Sequence, residues 1–205
     1  CGSLCHHMGK PTDAHSAALK NIDAWHSELK NNGLDAIVIN PSGCGTTVKD
    51  YHHMFKGTEH EEKAKAIAGL AKDISEVLVG LDLPEQAGNQ INIAYHSACS
   101  LQHGQQISSY PKDMLKKCGY KISEPKNSHL CCGSAGTYNL LQPKISQELK
   151  DRKIQSLEAK NPDIIAAGNL GCMMQISSST TIPVVHTVEL IDWATGGPKP
   201  NKLKN

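Results

Sequence analysis

The 205-residue sequence lacks an excess of charge of either sign, since Lys and Arg total 21, Asp and Glu total 20, and the formal net charge is +1. This balance offers no basic surface to attract nucleic acid or an anionic membrane. Aromatic residues make up only 4% of the chain, which leaves few rings on which bases could stack. The composition therefore argues against a nucleic-acid-binding protein.

Long hydrophobic runs are also missing. Apolar stretches such as 36–39 are far shorter than the roughly 20 residues that a membrane span requires. With 39% hydrophobic and 20% charged residues, the chain is expected to bury about 70% of its unfolded surface. These properties exclude collagen-like, disordered and integral-membrane classes, and they predict a soluble globular protein.

Cysteine usage points to metal or redox chemistry. Eight cysteines are too few for a disulfide scaffold and many for an ordinary cytosolic domain. The adjacent Cys131 and Cys132 could not bridge each other without severe strain. The chain opens at Cys1 with a helical pattern soon after it, rather than with the polar tether of a lipoprotein. We therefore expect a piece of a longer chain rather than a lipidated terminus.

Short β-rich runs alternate with helical patterns along the sequence, which is typical of parallel sheets with helices on both faces. We predict an α/β protein with cysteines at strand carboxyl ends. The predicted strands are 36–39, 91–95, 120–123, 164–167 and 182–185, and the predicted helices are 13–31, 61–79, 111–118, 143–159 and 187–193.

Two halves of the sequence share a pattern, which suggests an internal repeat. The triplet Cys-Gly-Ser occurs at 1–3 and again at 132–134, and an Asp stands nine residues before both Cys44 and Cys172. We predict two pseudo-repeated domains, 1–84 and 85–205, joined by a Pro- and Gly-containing linker at 81–89. The first half lacks counterparts of three features of the second half: its opening strand, its first cysteine and the first member of its Cys-Cys pair.

Four cysteines of the second half are predicted to share one site. Cys99 precedes Cys131 by 31 intervening residues, and 39 residues separate Cys132 from Cys172. Each follows a predicted strand, and the carboxyl ends of parallel strands meet at one sheet edge. Four thiolates suit either an iron–sulfur cluster or zinc, and the spacing does not choose between them. Three glycines would let backbone N–H groups approach the sulfurs, namely Gly133, Gly136 and Gly171.

The same residues resemble the cysteine-rich CCG domain of heterodisulfide reductase and related subunits. Within it, nearly the whole chain resembles the iron–sulfur subunits of glycolate oxidase (glycolate dehydrogenase). The most specific segments are HLCCGSAGTYNLLQP at 129–143, SGCGTTVKDY at 42–51, YHSACSLQHG at 95–104 and the run 183–198.

The resemblance implies an electron-transfer subunit that carries a [4Fe-4S] cluster. Its ligands would be Cys99, Cys131, Cys132 and Cys172, with Cys1 and Cys44 as the remnant of a second set. The implied partners are flavin-containing subunits, which hold the FAD and oxidise glycolate to glyoxylate, and a quinone-type electron acceptor. The implied location is the cytoplasm, with or without peripheral association at the inner membrane. No catalytic residue is expected on this chain itself.

The sequence departs from the wider family at two positions. That family often ends its motif with Cys-x-x-Cys, but in this chain Thr47 and Gln175 occupy the position of the last cysteine after Cys44 and Cys172. This difference favours four cluster ligands over five. Two other functions stay open: a zinc-stabilised docking module and a thiol redox subunit of heterodisulfide-reductase type. Among the remaining candidates, Cys118 is expected to be structural, whereas His96 and His186 lie where they could adjoin the site.

Overall fold

The computed structural model describes residues 1–83 and 90–204. They form two compact units, Cys1–Ile74 and Ser75–Asn205. Each unit contains a parallel sheet flanked by helices, which confirms the predicted fold class. The predicted boundary at 84 and most of the predicted linker fall on 84–89, outside the described residues, so the division into 1–84 and 85–205 stays a prediction.

The first unit is built on a two-stranded parallel sheet. Ile37 lies opposite Ala71 and Ile39 opposite Asp73 in the paired strands. Buried aliphatic and aromatic side chains from the surrounding helices pack on this sheet. Its elements are α1 (Ser3–His7), α2 (Pro11–Asn31), β1 (Ile37–Ile39), α3 (Ser42–Lys49), α4 (Tyr51–Met54), α5 (Glu61–Leu70) and β2 (Ala71–Asp73), with α6 (Ile74–Leu78) starting at the boundary between units.

The predicted long helix at 61–79 is wrong, because it is three elements. Helix α5 ends at Leu70, the chain extends as β2 over Ala71–Asp73, and α6 follows. Ala71 and Asp73 are buried and Lys72 is exposed, which is the alternation of a strand. The pairing with β1 joins segments more than thirty residues apart. Local apolar spacing cannot reveal such a pairing, since it is decided by tertiary contacts.

The second unit has a four-stranded sheet in which all neighbours are parallel. The strand order is β4-β3-β5-β6. Its elements are β3 (Asn92–His96), a π-helical turn (Ser100–Gly104), α7 (Tyr110–Lys117), β4 (Lys121–Ser123), α8 (Tyr138–Leu141), α9 (Pro143–Glu158), β5 (Ile164–Ala167), α10 (Leu170–Ser177), β6 (Val184–His186), α11 (Thr187–Ala194) and a terminal 3-10 turn (Asn201–Leu203).

Helices cover both faces of this sheet. Residues such as Ile93 and Ile164 point to one face, where they pack against α7 and α11. Their neighbours, among them Ala94 and Ile165, point to the opposite face and meet α9 and α10. The helices therefore carry apolar stripes, and within 1–83 and 90–204 none is long and apolar enough to cross a bilayer.

The two central strands, β3 and β5, create a crevice at their carboxyl ends. The chain leaves β3 toward the outer strand β4, whereas it leaves β5 toward β6 on the opposite side. In open parallel sheets, connections that diverge in this way leave room for a ligand between them. The crevice is therefore the natural place for a site in this unit.

Candidate metal centre

Two of the predicted ligands stand at the mouth of this crevice. Cys99 lies three residues beyond the end of β3, and Cys172 lies in the first turn of α10, just after β5. Asn169 caps that helix, since its side-chain oxygen accepts a 3.1 Å hydrogen bond from the Cys172 backbone N–H. The positive end of the α10 dipole then favours a thiolate at Cys172.

The other two predicted ligands lie in the loop between β4 and α8. After Cys131 and Cys132, the chain turns through Gly133, which has a left-handed backbone with φ +88°. A Cβ at this position would collide with the backbone carbonyl of Ser146 on α9. Only glycine fits there, so the tight contact with α9 positions both cysteines at the crevice.

The structure brings the four sulfurs together. Thiol hydrogen bonds join Cys99 to Cys131, Cys131 to Cys132, and Cys132 to Cys172. The hydrogen bonds from Cys132 and Cys99 lower the pKa of Cys131 to about 2. The hydrogen bond from Cys132 likewise lowers the pKa of Cys172, to about 5. The pKa values of Cys99 and Cys132 are raised, chiefly by their hydrogen bonds to Cys131. These interactions favour ionisation of Cys131 and Cys172 over that of Cys99 and Cys132.

Backbone N–H groups also point at these sulfurs. The N–H of Gly133 donates to the Cys131 sulfur at 3.3 Å, and the N–H of Ser134 donates to Cys132. A Cβ at Gly171 would lie 2.9 Å from the Ser134 hydroxyl, which would have to shift to make room for it. Gly136 has a left-handed backbone, φ +66°. For Gly133, Gly136 and Gly171, contact with a cofactor stays a prediction.

His96 completes the wall of the site. It is the last residue of β3, is fully buried, and places a ring nitrogen within 4.8 Å of the Cys132 and Cys172 sulfurs. Among the described residues, neither ring nitrogen has a hydrogen-bond partner. The ring is nevertheless close enough to favour the Cys172 thiolate. This imidazole faces the cysteines directly, whereas His186 caps α11 in a capping box with Glu189.

The first unit holds a smaller pair of thiols. The sulfurs of Cys1 and Cys44 lie 3.2 Å apart. In the second unit, the thiols of Cys132 and Cys172 interact in a similar way. The hydroxyl of Tyr51 donates a 3.0 Å hydrogen bond to the Cys1 carbonyl and accepts one of 3.2 Å from Asn21. Burial raises the pKa of this tyrosine.

The surroundings of these pairs support the predicted repeat. Gly2 has φ +80°, and a Cβ there would meet the Ala14 carbonyl on α2, as one at Gly133 would meet Ser146 on α9. Both helices begin with a proline. After α9 the chain runs β5, the Cys172-bearing α10, the parallel β6 and α11; after α2 it runs β1, the Cys44-bearing α3, the parallel β2 and α6, with α4 and α5 inserted before β2. These shared features favour a common origin of the two halves.

Comparison with known proteins identifies the relatives of this chain. Residues 93–177 match the family described as "CCG: Cysteine-rich domain". The chain is 34% identical to the glycolate oxidase iron-sulfur subunit of Escherichia coli K12 over 95% of its own length and 48% of that protein. It is 30% identical to a probable glycolate oxidase iron-sulfur subunit of Bacillus subtilis, covering 96% of this chain and 46% of the relative. It is also 30% identical to lactate utilization protein A of Geobacillus sp. WCH70, covering 94% and 82%.

The chain belongs to the family of these proteins. The resemblance inferred from the cysteine motifs is thereby confirmed. The chain spans about half the length of the glycolate oxidase relatives that it matches.

Gln175 stands where the wider CCG pattern often has its last cysteine, and here it is a structural residue. Its amide nitrogen donates a 2.9 Å hydrogen bond to the Ser146 hydroxyl, and its oxygen accepts one of 3.3 Å from Asn139. Ser146 in turn donates to the carbonyl of Gly133. Gln175 therefore links α8, α9 and α10 behind the Cys-Cys turn, which supports a set of four thiols rather than five.

Sequence reasoning missed one charged residue near the site. Lys153 on α9 is 2% exposed, and its ammonium interacts with all four cysteines. Burial lowers its pKa, and the four thiols oppose that effect. The sequence signal for Lys153 was weak, because a lysine at helical spacing usually faces solvent.

Cys118 packs in the core at the end of α7, where burial raises the pKa of its thiol. This position agrees with the structural role expected for it.

Proposed function

We propose that this chain is an electron-transfer portion of an iron–sulfur subunit in a flavin-dependent enzyme that oxidises glycolate to glyoxylate. The observation that carries the proposal is the meeting of four thiols at the crevice between β3 and β5. The family of the chain supports it, since two of its relatives are named as iron-sulfur subunits of glycolate oxidase. Another relative is named for lactate utilization, so lactate is the alternative substrate.

The donor set fits an iron–sulfur group. Cys99, Cys131, Cys132 and Cys172 would hold a [4Fe-4S] cluster, because four convergent sulfur atoms are the ligands that such clusters require. A bound cluster would supply one-electron transfer. The Cys1–Cys44 pair would contribute two ligands to a second site of the same kind.

The protein residues around the thiols would tune and protect this group. The N–H groups of Gly133 and Ser134 stabilise negative charge on sulfur, which favours the reduced state. The low exposure of Cys132 and Cys172 limits access of water and oxidants. No residue of this chain is assigned to substrate turnover. Glycolate oxidation would take place at FAD on partner subunits, and a quinone-type acceptor would receive the electrons in the cytoplasm or at the inner membrane surface.

Zinc is the rival occupant, because it too binds four thiolates. It would make this chain a docking module rather than an electron carrier. A thiol redox function of heterodisulfide-reductase type would instead require the cysteines themselves to change oxidation state. Gln175 in place of a further cysteine weighs against the latter.

The test is anaerobic reconstitution of the 205-residue chain, followed by metal and sulfide analysis and visible absorption. We expect iron and acid-labile sulfide with broad absorption near ~400 nm. The matched variants are Cys132→Ser, which should abolish iron binding, and Cys118→Ser, which should retain it. Colourless protein with stoichiometric zinc would identify the docking module, and protein without metal but with reversible disulfides would identify the thiol enzyme.

A further inference from the structure

Lys153 is a buried cation on α9 with two identifiable partners. Its ammonium donates hydrogen bonds of 3.4 Å and 3.2 Å to the backbone carbonyls of Asn127 and Ser128. These two residues lie in the loop between β4 and α8, four and three positions before Cys131. A buried ammonium is costly unless it is hydrogen-bonded or paired with negative charge, so its position calls for an explanation.

The same loop also contacts α9 just after the two cysteines. Ser146 lies two helical turns before Lys153, on the same face of the helix, and its hydroxyl donates to the carbonyl of Gly133. One face of α9 therefore contacts the cysteine loop on both sides of Cys131 and Cys132. Ile154 and Leu157, which follow Lys153, pack in the same apolar cluster as Cys132 and Cys172.

We propose that Lys153 is a positioning residue whose buried positive charge raises the reduction potential of the cluster held by Cys99, Cys131, Cys132 and Cys172. This inference rests on the proposed function, since it requires an iron–sulfur cluster at the four thiols. The side chain contacts backbone carbonyls of the loop and acts on the cluster through space.

The physical reason is the change in charge on reduction. When a reductant such as dithionite donates one electron, the site gains one negative charge, and a nearby cation stabilises the reduced state more than the oxidised one. Lys153 is almost fully removed from solvent, so water and salt screen this interaction less than they would at the surface. The cost of burying the ammonium is offset by the same negative charge.

The chain supplies a matched control on the same helix. Lys150 lies one turn before Lys153 and is also buried, but its ammonium donates to the hydroxyl of Ser178 at 3.1 Å. Ser178 follows the last residue of α10, whereas Cys172 lies in the first turn of that helix. A neutral residue at 150 therefore removes a buried lysine while leaving the charge beside the cysteine loop.

The experiment is a dithionite titration of the reconstituted full chain, followed by electron paramagnetic resonance. The variants are Lys153→Gln, which can still donate to the carbonyls, Lys153→Met, which preserves the linear shape, Lys153→Arg and Lys150→Gln. At the wild-type midpoint we expect both neutral variants at 153 to show about tenfold less reduced relative to oxidised cluster. For a one-electron couple this corresponds to a midpoint about 59 mV lower. Lys153→Arg and Lys150→Gln should stay within threefold of wild type.

Each other outcome has a definite meaning. A change of less than threefold in both neutral variants at 153 overturns the proposal. An equal change in Lys150→Gln also overturns it, because the effect would then follow from any buried lysine of α9. Loss of iron from both neutral variants, with iron retained in Lys153→Arg, overturns it in favour of a role in cluster assembly. A wild-type chain that binds no iron would instead overturn the proposed function, and the inference would fall with it.

Discussion

The hydroxyl of Ser146 donates a 2.8 Å hydrogen bond to the carbonyl of Gly133, and the Ser146 carbonyl occupies the space that a side chain at Gly133 would need. This contact fixes the turn after Cys131 and Cys132 against α9. The left-handed backbone at Gly133 aims its N–H at the Cys131 sulfur. The turn and α9, which are thirteen positions apart at this contact, thus position the two thiols together.

Gly133→Ala should destabilise the second unit by more than about 2 kcal/mol, because the left-handed strain of about 1–2 kcal/mol is joined by a backbone collision. Gly196→Ala is the control, since Gly196 also has positive φ but open space around it. Gly196→Ala should lower the free energy of unfolding by no more than the left-handed strain alone. Urea unfolding of both variants measures the difference. Equal costs would show that the contact with Ser146 has no energetic role.

Gln175→Leu should lower stability by about 1–2 kcal/mol and reduce iron retention, because Asn139 loses a partner and Ser146 loses a donor behind the cysteine turn. Gln147→Leu removes an exposed glutamine that donates to Asp151 on the same helix, and it should change stability by less than about 0.5 kcal/mol. Thermal unfolding and iron content after gel filtration test both. Undiminished iron retention in Gln175→Leu would separate this residue from the metal centre.

Cys132→Ser should abolish electron transfer in the assembled enzyme while flavin reduction by glycolate remains. A serine hydroxyl is a poor ligand for iron compared with a thiolate, whereas the proposed flavin chemistry lies on another chain. Rapid mixing with glycolate should give one turnover and then reduced flavin that a quinone analogue does not reoxidise. Normal steady-state turnover would argue against electron transfer through this site and favour the zinc docking module.

Cys118→Val should weaken the loss of stability at alkaline pH. Burial raises the pKa of the Cys118 thiol above its ordinary value of 9.0. The folded chain therefore holds this proton at a pH where the unfolded chain releases it, and stability is lost as pH rises beyond 9. Urea midpoints at pH 7 and pH 10 should differ less in the variant than in the wild-type chain. An unchanged difference would mean that this thiol ionises equally in both states.

The site was more predictable than some of its scaffold. Cysteines that directly follow short β-rich runs were expected at one edge of a parallel sheet, and the structure places Cys99 and Cys172 there. The three-residue strand β2 was missed inside a predicted helix. Its residues carry no strong local preference, and pairing with β1 decides their conformation. Short strands that depend on a distant partner leave little trace in periodicity.

By itself, the sequence determined the α/β class and singled out the four thiols of the second unit as a proposed soft-metal site, because these inferences follow from residue type, local spacing and the geometry of parallel strands. Only the tertiary structure decided what surrounds the sulfurs. It brought the buried imidazole of His96 against Cys132 and Cys172, turned Gln175 into a link between helices, and enclosed the ammonium of Lys153 behind the loop. Such contacts join residues tens of positions apart, and their energies depend on burial and distance, which no local pattern encodes.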